Sequence, residues 1–281
     1  MDKKIIIKSF IIFFVVSIAE PLFKMETCRA DCHMKSTSPA TDTNDVEIIL
    51  EKLNQKTKEL QSYEAQIEYK FSQPLLESQS VREGVLYYTK SDRQSRLRIN
   101  FQTLKQDDEK QQKYSEHFIF DGIWLIHIDY QIKSAKRHQL AEPNNPMDAF
   151  DLAGRNLPII GFAKIEDLKK QFEVQLVVQE QSEPSLYIQL HLKVKPDSIY
   201  KDDYTFIDFW IDKELHLPAK MVAVSTEEDI YEIKFLKPMV NKKLDKKVFE
   251  FEIPKGFTEE IIPLKKLERP GTEDSEPKSN D

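Results

Sequence analysis

The side chains able to do chemistry are few and scattered. Histidines stand at positions 33, 117, 127, 138, 191 and 216, and none falls in an HExxH pattern or a Cys/His spacing that would hold zinc. His117 and His127 are expected on opposite faces of one hairpin, which argues against a shared metal site. Asp202-Asp203 and Glu227-Glu228-Asp229 fall in expected turns, where acidic pairs are ordinarily solvated corners rather than an acid/base couple. The sequence has no GxSxG elbow, and no GxGxxG or GxxxxGK loop to cradle a phosphate. Cys28 and Cys32 both lie near the N-terminus, so no disulfide framework is expected in the body of the protein. Neither a catalytic group, a metal nor a cofactor is expected, and the default shifts toward a binding or carrier protein.

The elements that would position a binding surface are easier to read. Across 281 residues, 40% hydrophobic and 10% aromatic content is that of a folded chain. The 41 basic and 48 acidic residues nearly balance, without the clustered positive excess that a nucleic-acid partner requires. Lys3, Lys4 and Lys8 precede an apolar run over residues 9–19 that Glu20, Pro21 and Lys24 stop, which is the shape of a secretory signal peptide. The run falls short of the ~20 residues that span a bilayer. Export is expected, with an uncleaved N-terminal membrane anchor as the alternative. The expected division is a signal peptide over 1–30, a linker over 31–44, one domain over 45–264 and a disordered acidic tail over 265–281. Neither cysteine follows the small-residue triplet that lipid attachment wants.

Asn44 or Asp45 can cap an amphipathic helix whose Val46, Ile49, Leu50, Leu53 and Leu60 share one stripe. The period then changes from 3.6 to 2: Tyr63, Ala65, Ile67, Tyr69 and Phe71 alternate with polar residues, as do Leu97, Ile99 and Phe101. Phe172, Val174, Leu176 and Val178 repeat the pattern, followed by Leu186, Ile188, Leu190, Leu192 and Val194, and by Tyr231, Ile233 and Phe235. Asp121-Gly122 between apolar runs signals a two-residue type I′ hairpin that pairs Phe120 with Ile123 and Phe118 with Leu125. This hairpin and residues 204–211 are apolar on both faces, so cover from both sides is expected, where the helices dock. Further strand pieces are expected at 85–88, 132–140, 219–224 and 248–253. The expected meander of roughly ten strands breaks once, over 143–171, where short helices at 147–153 and 165–170 flank the apolar piece 157–162.

About ten strands of about seven residues give a dry face of roughly 1,100 Å². One helix of about fifteen residues covers some 220 Å² of it, and two short helices roughly double that. Much of the face is then without cover, so the sheet must curl over itself and either fill its interior or keep an apolar pocket.

The order of these pieces resembles the periplasmic lipoprotein carriers of the LolA type. The residues that carry the resemblance are Phe120-Asp121-Gly122-Ile123-Trp124-Leu125-Ile126-His127-Ile128-Asp129, the closing Phe249-x-Phe251-x-x-Pro254-x-Gly256, Asn145-Pro146-Met147, and a strand that starts at Gly84. The resemblance implies a mainly β (α+β) fold: a strongly curved, incomplete antiparallel β-barrel with an N-terminal amphipathic helix and short lid helices over an apolar cavity. It implies that Leu97, Ile99 and Phe101 line the cavity with Ile67, Tyr69, Leu86, Phe118 and Leu125, and that Met147, Phe150, Leu157, Ile159, Ile160 and Phe162 belong to the lid. The arginine of the family that is implicated in lid closure falls on Lys90, which lacks a guanidinium's planar fork. A carrier of lipoprotein or lipid acyl chains is implied, without enzymatic activity, served by an inner-membrane release complex and an outer-membrane acceptor. The alternatives are a lipid-sensing regulatory module of the same fold, RseB-like, which binds a membrane signalling partner, and an enzyme acting on lipid.

Overall fold

A change of hydrophobic period near residue 61 turns a helix into a sheet. The structure, a computed structural model, describes residues 43–91, 94–149, 165–178 and 185–264. Helix α1 (Thr43–Glu59) buries Val46, Leu50 and Leu53, the stripe expected from the sequence. Asp45 in its first turn and Lys56 and Lys58 in its last oppose the helix dipole favourably. The helix begins at Thr43, two residues before Asp45.

The strands that follow are β1 (Ser62–Gln73), β2 (Ser78–Ser91), β3 (Gln94–Gln106), β4 (Gln112–Phe120), β5 (Trp124–Asp129) and β6 (Ser134–Gln139). After the break come helix α2 (Ile165–Gln171) and strands β7 (Phe172–Val177), β8 (Tyr187–Val194), β9 (Tyr204–Asp212), β10 (Pro218–Ser225), β11 (Ile230–Val240) and β12 (Thr258–Ile262). All twelve form one sheet in the order β12-β6-β5-β4-β3-β2-β1-β11-β10-β9-β8-β7. Two meanders, β1 to β6 and β7 to β11, are thus joined where β1 pairs with β11, and β12 and β7 end the sheet as unjoined edges. The fold is mainly β, an incomplete and curved barrel.

The inner face divides in two. Under α1, the strands β7 to β10 contribute Leu190, Leu192, Ile207, Phe209, Ile211 and Met221 to one core. Across β1 to β5, a second core runs from Tyr63, Tyr88, Phe120 and Leu125 at one end to Ile67, Phe101 and Phe118 in the middle.

Several local expectations change. Among the described residues the strands number twelve rather than about ten, and β12 pairs with β6 in parallel, so the sheet is not wholly antiparallel. Residues 248–253 do not join it. There, Phe251, Ile253 and Phe257 press on Ile119, Ile126, Ile128 and Ala135 of the outer face, while the Arg98 guanidinium donates to the carbonyls of Val248 and Glu250, both at 2.7 Å. Their alternation marks a strap with one dry side, and the strand starts only at Thr258. No helix covers the outer face of β9 among the described residues. Trp210 lies 4.7 Å from the Lys220 ammonium, and Phe206 lies 5.2 Å from the His191 ring, so long polar side chains shield them instead.

The hairpin between β4 and β5 pairs Phe120 with Leu125 and Phe118 with His127, two residues away from the expected register, with the facing of every side chain kept. Within this turn Gly122 alone has positive φ, at 95°, and the Asp121 carboxylate accepts from the backbone N–H groups of Ile123 (2.9 Å) and Trp124 (2.8 Å). A side-chain-closed turn therefore replaces the type I′ turn. Gly84 sits inside β2 rather than at its start. A Cβ there would lie 2.8 Å from the Phe101 Cα and nearer still to the Asn100 carbonyl oxygen, so only glycine lets β3 approach this closely.

Candidate functional site

Strict alternation on β1 to β5 sends every second side chain to the inner face, and register aligns them in rows. Ile67 stands opposite Gly84, which stands opposite Phe101; Leu86 stands opposite Ile99, which stands opposite Phe118. The eight residues expected to line a cavity are all described and lie on this one face. Ile67, Phe101, Phe118 and Leu125 are buried, while Tyr69, Leu86, Leu97 and Ile99 are only partly so. Phe101 meets Phe118 edge-on at 6.4 Å and Tyr69 at 6.3 Å.

One end of this face receives the segment over 146–149 that leads into the long connection. Met147 donates its N–H to the Gly122 carbonyl (2.8 Å), and Ala149 donates its N–H to the buried Ser95 hydroxyl (2.6 Å). Lys90, paired in register with Ser95, reaches the Asp148 carboxylate at 3.6 Å. Pro146 packs against Gly122, where a Cβ would come within 3.3 Å of its ring. Met147 packs with the core that contains Tyr63, Tyr88 and Phe120, and Ala149 belongs to it. Met147 and Asp148 are not helical. Phe150, Leu157, Ile159, Ile160 and Phe162 lie outside the described residues, as do residues 1–42 and 265–281, where the leader, linker and tail are expected.

At the other end the inner face turns polar, which the sequence reading missed. Glu116, 2% exposed, takes His127 Nε2 at 2.8 Å, the Tyr114 hydroxyl at 3.0 Å and Arg82 Nη1 at 3.3 Å. His127 stacks flat on Phe118 at 4.4 Å. Burial pushes the Tyr69 and Tyr114 hydroxyls well above the ordinary tyrosine range, which keeps both as neutral donors. Glu116, His127 and Asp129 bring ligand-type atoms within 4.8 Å of one another. However, the Arg82 guanidinium already faces Glu116, and Asp129 Oδ1 accepts from the N–H groups of Gln131 (2.8 Å) and Ile132 (3.2 Å). A cation bound to Glu116 would sit against an arginine of like charge, so the donor set fits an internal ion pair better than a metal. As expected, His117 lies on the opposite face, 3.4 Å from Arg98. One signal was available: Tyr114, Glu116, Phe118 and Phe120 share parity, which places Glu116 on the dry side.

No family model and no curated protein matches the chain. Solved structures do. An uncharacterized conserved protein from Thermus thermophilus is 10% identical with a TM-score of 0.45, over 78% of this chain and 99% of that one. MucB is 12% identical with a TM-score of 0.45 over 75% of this chain, which spans 64% of MucB. A LolA superfamily protein from Nitrosomonas europaea is 13% identical with a TM-score of 0.32, over 73% of this chain and 97% of that one. The family whose resemblance was read from the sequence is thus among the structures to which this chain is similar.

Proposed function

We propose that this protein is a periplasmic carrier, exported by its N-terminal segment, that takes the acyl chains of lipoproteins or other lipids onto the inner face of β1 to β5 and hands them to an outer-membrane acceptor. The observation that carries the reading is a contrast in cover. Leu190, Ile207 and Phe209 are 0% exposed beneath α1, whereas Leu86, Leu97, Ile99 and Tyr69 on the same side of the sheet are incompletely buried beside the buried Ile67 and Phe101. Each methylene of an acyl chain moved onto such a face gains ~0.8 kcal/mol, so a chain free in water is strongly driven there. No catalytic group is needed.

Release needs a weak closure. The segment at 146–149 is fastened by two backbone N–H donations and by the Lys90 to Asp148 pair, whose side chains are 38% and 30% exposed. A pair so exposed contributes roughly 0–1 kcal/mol. A lysine also grips with a point charge where an arginine would grip with a fork. In this reading Phe150, Leu157, Ile159, Ile160 and Phe162 complete a lid that opens at low cost, shifting the populations of closed and open forms. The test is purification without detergent, followed by lipid extraction with mass spectrometry and titration with a fluorescent fatty acid. Co-purifying acyl species or saturable uptake is expected. An empty protein that takes up no fatty acid would overturn the proposal.

A further inference from the structure

The tip of the hairpin between β1 and β2 presents apolar side chains that the fold does not use. Between β1 and β2, Pro74–Leu76 forms one 3₁₀ turn. Pro74 presets its φ, and Glu77, at φ 51°, closes it by donating its N–H to the Pro74 carbonyl at 3.2 Å. Leu75 and Leu76 have no part in that geometry, yet they are 75% and 69% exposed at a place where turn chemistry favours polar residues. At their base is a cleft of about 260 Å³ whose lining includes Glu77, Asp107 and Asp108. The neighbouring turn between β10 and β11 adds Glu227, Glu228 and Asp229, with Asp229 within 3.4 Å of Gln73. Burial raises the Asp229 carboxyl above its ordinary range, and Glu227 raises it further. Lys110 brings one basic residue to the same turn as Asp107 and Asp108.

We propose that this tip is a docking surface for a cationic, partly apolar segment of another polypeptide. Charge complementarity selects the occupant. An anionic bilayer surface would be repelled by these carboxylates. A wholly apolar partner would strip water from them and give no compensating charge. A segment carrying both Lys or Arg and an aliphatic residue covers the leucines and neutralises the cleft together. The site lies at the opposite end of β1 and β2 from Lys90 and the 146–149 segment, so a partner can dock there without obstructing that segment.

The experiment is fluorescence anisotropy of the full chain with three labelled synthetic peptides: one of alternating Lys and Leu, one of Lys and Ser, one of Glu and Leu. The Lys/Leu peptide is expected to bind about tenfold more tightly than either control, and to lose about tenfold in the L75S/L76S double variant. Asp108→Lys is expected to weaken it as well, and raising salt from about 50 to 500 mM should do the same. Because these side chains are exposed, the variants should melt as the parent does. Equal binding by parent and L75S/L76S would overturn the proposal. So would no binding of the Lys/Leu peptide, equal affinity for Lys/Ser, or tighter binding to phosphatidylglycerol vesicles than to the peptide.

Discussion

The two halves of the inner face are built from the same kind of strand and differ in what lies on them. The β7 to β10 half carries a 17-residue helix whose leucines pack with Leu190, Ile207 and Phe209, all fully buried, while Val174, Leu176 and Ile188 around them are partly buried. The β1 to β5 half has equally apolar rows but ends in a buried carboxylate network, and its entering segment is held by polar contacts together with the packing of Met147 and Ala149. The difference teaches that apolar alternation specifies a dry face without specifying its cover. The helix makes one half a core, and the other half receives the segment over 146–149 at one end.

The comparison can be broken most forcefully in the closed half. Phe209→Ala should cost about 3–5 kcal/mol in denaturant unfolding and leave fatty-acid affinity unchanged for molecules that remain folded. Leu97→Ala, on the open half, should cost about 1–2 kcal/mol, because less contact is lost, and should weaken acyl uptake measurably. If the two substitutions had the same stability cost, and neither touched uptake, the halves would not differ in cover.

Next in size is the polar end of the open half. Glu116→Ala leaves Arg82 and His127 facing an emptied site, and a loss of about 3 kcal/mol is expected in chemical denaturation. A loss below about 1 kcal/mol would mean that water reaches this network freely.

The closure itself should matter less to stability than to rate. Lys90→Ala is expected to change the unfolding free energy by less than about 1 kcal/mol while speeding ligand release in stopped-flow displacement. Lys90→Arg should slow release, since a fork can bind both oxygens of Asp148. Equal release rates in all three proteins would remove Lys90 from the closure.

The smallest effect lies on the outer face of β4. Burial, with Arg98 adding to it, holds His117 down at about 4 against an ordinary 6.5. Between those values the unfolded chain binds a proton that the folded chain refuses, so stability is full above about 6.5 and falls as pH drops toward 4. Arg98, Ser115 and Tyr130 are the groups that face the ring. His117→Gln should flatten part of that slope in thermal melts taken across the window.

Much of this architecture is legible in the residues themselves. Helix α1 and the strands whose partners are solvent and core show their period directly, because one face of each is dry. The connection over 143–171 stands out by composition, and its second helix is found where expected. What escapes is whatever depends on register between distant strands. The Glu116 network joins β2, β4 and β5, so each member taken alone looks like one polar residue in an alternating run. Phe249, Phe251 and Ile253 have strand periodicity because a strap with one packed side has the same period as a sheet member. Hydrogen bonding, not patterning, distinguishes the two, and Arg98 takes the carbonyls.

The central claim is that acyl chains occupy the inner face of β1 to β5. Photocrosslinking of the full chain with a diazirine-bearing fatty acid, followed by peptide mass spectrometry, tests it most directly. Labels are expected on β2, β3 and β4 around Leu86, Leu97, Ile99 and Phe118. Labels concentrated on α1 and on β8 or β9, or spread evenly over the outer face, would contradict it.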